Sequence, residues 1–213
     1  MQLEEVPEAQ LIAVSGGEQI RLSDTVTVRV FPSQHSCIWS QTGTTEEVCL
    51  GDRYVTYHER QARLDQRAAS RLPGTAEVVA HRQACTQTPR GEGGAYAYLI
   101  ETSEGSILWI DTSGHWTGIL QDLRPDVAIL AAAGRGNIDG EPIQGTLAQF
   151  IAREAELLRP ERIVLCHHDD WNPPLTSPTD VEPIREELAR HNPRLELVEM
   201  GYLEEYPILR RDR

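Results

Sequence analysis

In the stretch RIVLCHHDDW, residues 162–171, an apolar run is followed directly by polar, titratable residues, and this pattern decides the fold. Its first half is apolar and partly β-branched, which is typical of a strand covered on both faces. The run VAILAAA at 127–133 has the same character, and a stripe of apolar residues at helical spacing lies between the two runs. Buried strands that alternate with amphipathic helices predict an α/β protein in which helices cover the sheet.

Turn signals and hydrophobic periodicity divide the rest of the chain into short elements. The dipeptide Glu104–Gly105 is typical of a hairpin turn between two apolar runs, and GRGNIDGEP at 134–142 is typical of a loop. The further predicted elements are strands within 11–33, 95–102, 106–111, 195–200 and 206–209, a short helix over 116–123, a helix over 144–158, and a helix capped by Thr179 or Asp180 that runs to Arg190.

The chain of 213 residues is long enough for one domain with a sizeable core, and short for two. Residues 36–92 interrupt the rhythm of strands and helices with polar loops and one predicted helix, Tyr57–Leu72. We expect them to form an insertion that lies over the surface of a single domain spanning residues 1–213.

Composition excludes several classes of function. A formal net charge of −13 argues against a nucleic-acid partner, because phosphate contacts require a basic face. All 20 basic residues are arginine, so a lysine nucleophile and a P-loop lysine are excluded. No apolar run is long enough for a membrane span, no secretory signal pattern is present, and the four cysteines form no C-x-x-C pair. We therefore expect a cytoplasmic protein with reduced thiols.

Three predicted strands each end in a side chain that can ligate a metal. His35 follows the strand ending in VRVFP, Asp111 follows SILWI, and His167 follows RIVLC. Strand ends of a layered α/β domain lie along one rim, where loops carry function. Imidazole and carboxylate ligands suit zinc, manganese or iron. The joint occurrence predicts a metal site, although each position alone is also compatible with an ordinary polar turn.

Two other motifs give weak signals. GRGN at 134–137 could bind a phosphate, but its glycine spacing is wrong and Pro142 comes before the following helix. A serine nucleophile is poorly supported because no G-x-S-x-G elbow is present.

Four motifs, in this order, resemble the second half of metallo-β-lactamase-fold hydrolases. They are FPSQHS at 31–36, GGAYAYLIETSEGSILWIDTSGH at 93–115, VAILAAAGRGN at 127–137 followed by GEPIQGTLAQFI at 140–151, and RPERIVLCHHDDW at 159–171. The likeness is greatest to the group similar to ascorbate-phosphate lactonases and other beta-lactamase superfamily domain proteins. It covers about residues 11 to 171, apart from the insertion.

The resemblance implies a layered αβ/βα sandwich with two divalent metals, zinc in the first place and manganese or iron as alternatives. It implies that His35, Asp111 and His167 are metal ligands. Asp111 would bridge the two metals, and Asp111 and His167 would be the catalytic pair. The positions that resemble supporting or substrate-facing residues are His115, His168 and Asp169.

The family's H-x-H-x-D-H motif has no counterpart in these 213 residues. We therefore expect the domain to be incomplete at its N-terminus, with the missing half encoded upstream or supplied by another chain. A homo-oligomer is a further possibility for covering its exposed faces. The activity that the resemblance implies is metal-dependent hydrolysis of a small-molecule substrate, an ester, lactone or phosphodiester. The alternatives are a non-catalytic remnant or interaction module that has lost the metal site, and a nucleotide binder that uses the GRGN loop.

Overall fold

The computed structural model describes residues 7, 10–36, 95–169, 178–201 and 203–209. Within them, one mixed sheet has the strand order β1-β2-β3-β4-β6-β9-β10, and β5, β7 and β8 form a small second sheet. The strands are β1 (Gln19–Arg21), β2 (Thr27–Pro32), β3 (Tyr96–Glu101), β4 (Ser106–Ile110), β5 (Gly114–His115), β6 (Val127–Ala131), β7 (Asn137–Ile138), β8 (Glu141–Pro142), β9 (Arg162–Cys166) and β10 (Glu196–Val198).

The direction of the strands brings the C-terminal ends of several strands to one edge. Strands β2 and β4 each pair antiparallel with β3, so they run in the same direction. Strand β6 is parallel to both β4 and β9. The ends of β2, β4, β6 and β9 therefore lie at one edge of the large sheet, which we call the carboxyl edge.

Three helices accompany the sheet in the described ranges: α1 (Thr117–Leu120), α2 (Leu147–Leu158) and α3 (Glu182–His191). Helix α2 begins at Leu147 and not at the predicted residue 144, because Thr146 and Gln149 form a reciprocal capping box at its start. It ends at Arg159, which has the left-handed conformation common at helix ends. Helices α2 and α3 pack against each other through the core.

The main core lies between the helices and one face of the sheet. Leu108, Leu130 and Ile163 of the sheet and Phe150 and Leu188 of the helices are all nearly or fully buried in it. The opposite face carries a smaller cluster of Val127, Val164 and Val198, with Ile208 and Leu209 packed on it. Strand β6 is thus covered on both faces, as its continuous apolar run predicted. The α/β class is confirmed.

Other predictions need correction. The stretch 134–142 contains β7 and β8, because Asn137 and Ile138 pair with the β5 backbone as well as with β8. The N-cap of helix α3 is Val181, and not Thr179 or Asp180 as predicted. The Asp180 carboxylate accepts a hydrogen bond from the Glu182 amide in the first turn. Residues 206–209 are not a strand, and the last two of them lie in a turn.

The predicted insertion at 36–92 and its helix lie almost wholly outside the described residues, so the single-domain arrangement stays a prediction. Within the ranges that the structure describes, no helix has the length and apolar character needed to cross a membrane.

Candidate metal centre

The three predicted ligands all follow strands that end at the carboxyl edge. Asp111 directly follows β4, His167 directly follows β9, and His35 comes three residues after the end of β2. All three residues are exposed. The expectation that they share one rim of the sheet therefore agrees with the strand directions, and it follows from the parallel course of β2, β4 and β9.

Hydrogen bonds hold the segment that carries His35 against the loop after Asp111. The Ser33 hydroxyl donates to the Gly114 carbonyl at 2.8 Å, and the Ser36 amide donates to the Thr112 hydroxyl at 3.0 Å. Between these contacts the two backbones touch: a Cβ on Gly114 would stand 2.4 Å from the Gln34 carbonyl oxygen. The close approach therefore requires glycine at position 114.

Asn137 joins the same two segments from the small sheet. Its side-chain amide donates to the His35 carbonyl at 2.9 Å, and its backbone amide donates to the Ser113 carbonyl at 3.0 Å. Its strand also pairs with β5, where Gly114 is its direct neighbour. One residue thus fixes the backbone on both sides of the contact, so that the His35 and Asp111 segments form one unit.

The ring of His35 is oriented by the residue that follows it. Its Nδ1 lies 3.0 Å from the Ser36 carbonyl oxygen, which can only accept. The Nδ1–H tautomer satisfies this contact and leaves Nε2 with a lone pair. Histidines that ligate metals commonly donate their other ring nitrogen to a backbone carbonyl in this way.

His167 leaves the sheet with an unusual backbone conformation. Its φ is +57°, a left-handed value that residues other than glycine adopt infrequently. Just before it, the Cys166 carbonyl accepts from the Ala132 amide at 2.8 Å, which keeps β9 against the end of β6. The left-handed conformation at His167 is therefore local, because the strand before it is held in place. Such infrequent backbone conformations often occur at functional sites.

Cys166 shows how near the tips of β4 and β9 are. Its thiol donates to the Ile110 carbonyl at 3.8 Å. Burial raises the pKa of the Cys166 thiol to about 12, and the negative charges of Asp111 and Glu154 add to the effect. This shift disfavours the thiolate, which is the nucleophilic form of cysteine.

The remaining predicted site residues have different surroundings. His115 is fully buried and is hydrogen-bonded to Glu154, so its side chain points into the protein interior and does not face a substrate. Next to His167, His168 is half-buried and Asp169 is exposed, and His168 Nε2 lies 3.7 Å from Asp169 Oδ1. Asp170 and Trp171 lie outside the described residues.

The donor types fit a divalent metal, since two imidazoles and a carboxylate match the ligand chemistry of zinc. Their number does not complete a site. In the parts of the chain that the structure describes, no group of three or more His, Cys, Asp or Glu side chains is arranged to hold a metal ion. A metal centre at the carboxyl edge would therefore need further ligands, and the ligand assignment stays a prediction.

Sequence comparison finds neither a matching family model nor a matching curated protein. Solved structures do match. Igni18, a metallo hydrolase from the archaeon Ignicoccus hospitalis, is 14% identical with a TM-score of 0.46, over 89% of this chain and 57% of its own. The metallo-beta-lactamase fold protein YhfI from Bacillus subtilis is 10% identical with a TM-score of 0.45, over 90% and 52%. The isothiocyanate hydrolase from Delia radicum gut bacteria is 16% identical with a TM-score of 0.44, over 86% and 55%.

The chain thus spans little more than half the length of each of these structures. The matched structures are those of hydrolases and of a metallo-beta-lactamase fold protein.

Several residues that shape the candidate centre were not among the predicted site residues. Thr112, Gly114 and Asn137 tie the edge together through backbone contacts, and nothing in their local sequence marks them. Glu154 is different, because it falls on the apolar stripe of α2, four residues after Phe150. A carboxylate on a buried stripe is a signal that a buried polar partner exists.

Proposed function

We propose that this chain contributes His35, Asp111 and His167 to the two-metal centre of a hydrolase of the metallo-β-lactamase type. The observation that supports the proposal best is the placement of three ligand-type side chains after β2, β4 and β9 at one edge of the sheet. The bonds among 33–36, 112–114 and Asn137 add support, because a ligand set must be held in fixed register.

Each residue has a role that follows from its chemistry. The two histidines would each donate a neutral ring nitrogen to one metal. The Asp111 carboxylate would lie between the metals, where its negative charge offsets the repulsion between two cations. A pair of divalent cations, when bound, polarises a carbonyl or phosphoryl oxygen and lowers the pKa of a water toward neutrality. The substrate class proposed is a small ester, lactone or phosphodiester, and zinc is the metal proposed first.

The ligands that complete the cage would come from outside the described residues, in this chain or in polypeptide that accompanies it. A second candidate function is favoured by the lack of a three-ligand group in the described ranges: an interaction module that keeps the fold without the metal. The two candidates differ in metal uptake and in turnover.

The test uses the full-length native polypeptide that contains this chain. We expect it to bind zinc or manganese and to hydrolyse at least one member of a panel of esters, lactones and phosphodiesters. Chelation should remove the activity and added metal should restore it, while far-UV circular dichroism shows that the metal-free protein stays folded. Folded protein that neither binds metal nor turns over any substrate would contradict the proposal and favour the interaction module.

A further inference from the structure

One ionisable pair lies inside the otherwise apolar main core. The side chains of His115 and Glu154 are 0% and 1% exposed, and His115 Nδ1 lies 3.0 Å from Glu154 Oε1. The imidazole also stacks on the Phe150 ring, with 5.4 Å between centroids. Burying such groups is costly unless they satisfy each other, so this contact is strongly constrained.

The Glu154 contact is the only hydrogen bond that orients the His115 ring within the described residues, because Nε2 has no partner there. Burial raises the pKa of Glu154, while the hydrogen bond from His115 opposes that shift. Removing the carboxylate would leave a buried imidazole with no polar partner at either nitrogen. Such an unsatisfied group destabilises the arrangement that buries it.

The pair joins two parts of the fold that lie 39 residues apart in the sequence. Glu154 belongs to the well-capped helix α2, whereas His115 ends the loop that begins at Asp111. Backbone carbonyls of this loop accept hydrogen bonds from the segment that forms the small sheet. The Asn137 amide donates to the Ser113 carbonyl and the Asp139 amide donates to the His115 carbonyl, each at 3.0 Å. A shift of His115 would therefore move the loop and the Asn137 contact together.

We propose that Glu154, acting through His115, is a positioning residue that fixes the Asp111 loop and the small sheet against helix α2. The pair does not contact the substrate or the metals. The effect that we expect on metal binding at Asp111 rests on the function proposed above, whereas the effect on the position of the loop does not.

The experiment compares Glu154→Leu with Glu154→Gln in the full-length polypeptide. Glutamine keeps an acceptor for His115 Nδ1–H at similar volume, and leucine removes it. Amide hydrogen exchange is measured at Asn137 and Asp139, which report on the loop, and along β6, which reports on the core. We expect protection at the two reporter amides to fall at least about tenfold in the leucine variant and to stay within about threefold of wild type in the glutamine variant.

Zinc affinity is the second readout. It should fall about 10- to 100-fold in Glu154→Leu and be largely kept in Glu154→Gln, as for other residues that orient metal ligands. If wild type binds no zinc, the proposed function is contradicted while the exchange data still decide the positioning role. An equal loss of protection along β6, or no loss at the reporter amides, would overturn the positioning role.

A second variant covers the case in which Glu154→Leu does not fold. The double substitution His115→Phe with Glu154→Leu replaces the pair by apolar side chains, a change that buried ion pairs often tolerate. We expect it to melt within about 5 °C of wild type and still to lose protection at Asn137 and Asp139. Wild-type protection at both amides would show that apolar packing alone positions the loop and would overturn the inference.

Discussion

Replacing Asp111 by asparagine should reduce metal-dependent hydrolysis by the full-length polypeptide to less than about a hundredth of wild type, since loss of a residue that merely supports a metal ligand already costs about 10- to 100-fold. Asparagine keeps the shape of the side chain and removes the negative charge that, in the proposed centre, would lie between two cations. The residue is exposed and follows the buried Ile110, so the core is left intact. Steady-state kcat/KM on the best substrate of the panel measures the effect.

The matched control is Asp122→Asn, which makes the same chemical change at an exposed residue just after α1. It should keep activity within about twofold, because an exposed substitution away from such features has little effect. Both variants should melt close to wild type. Activity retained by Asp111→Asn would remove Asp111 from the metal centre and with it the assignment of the bridging ligand.

Replacing Gly114 by alanine should disrupt the contact between the His35 and Asp111 segments. The added Cβ would stand 2.4 Å from the Gln34 carbonyl oxygen and 2.9 Å from the Gln34 Cβ. Backbone at such a distance cannot rotate away as a side chain could, so residues 34–36 must move from 112–114. We expect a loss of about 1–3 kcal/mol in the free energy of unfolding, typical of overpacking, together with loss of zinc affinity.

Gly118→Ala is the control for this substitution. Gly118 lies in α1, and a Cβ there would meet nothing within 4 Å. Alanine favours a helix over glycine, so this variant should be as stable as wild type or slightly more stable. Urea unfolding of both variants gives the comparison. Equal stability and equal zinc affinity in Gly114→Ala would show that the two segments need no close contact.

The sequence predicted the central strands because their signals are local. The runs over 127–133 and 163–166 are continuously apolar, and both contribute to buried parallel strands at the centre of the sheet. The hairpin at Glu104–Gly105 followed from a turn signal between two apolar runs, and Gly105 has the positive φ that such a turn uses. The common edge of His35, Asp111 and His167 followed from strand order and direction.

Features that depend on contacts between distant segments were not predictable. Strands β5, β7 and β8 have two residues each, and they exist because the loops after Asp111 and Gly136 meet. The role of Gly114 depends on a chain segment about 80 residues earlier, as the Ser33 contact shows. The His115–Glu154 pair was predictable only in part, since Glu154 stands out on its apolar stripe but nothing in the sequence names its partner.

The proposed metal centre at the carboxyl edge is tested most directly by an anomalous difference map at the zinc edge, from crystals of the full-length polypeptide grown with zinc. We expect zinc at the carboxyl edge, with a ring nitrogen of His35, a ring nitrogen of His167 and a carboxylate oxygen of Asp111 each within about 2.0–2.2 Å of one of the bound ions. Ordered zinc elsewhere, with these three side chains uncoordinated, would contradict it.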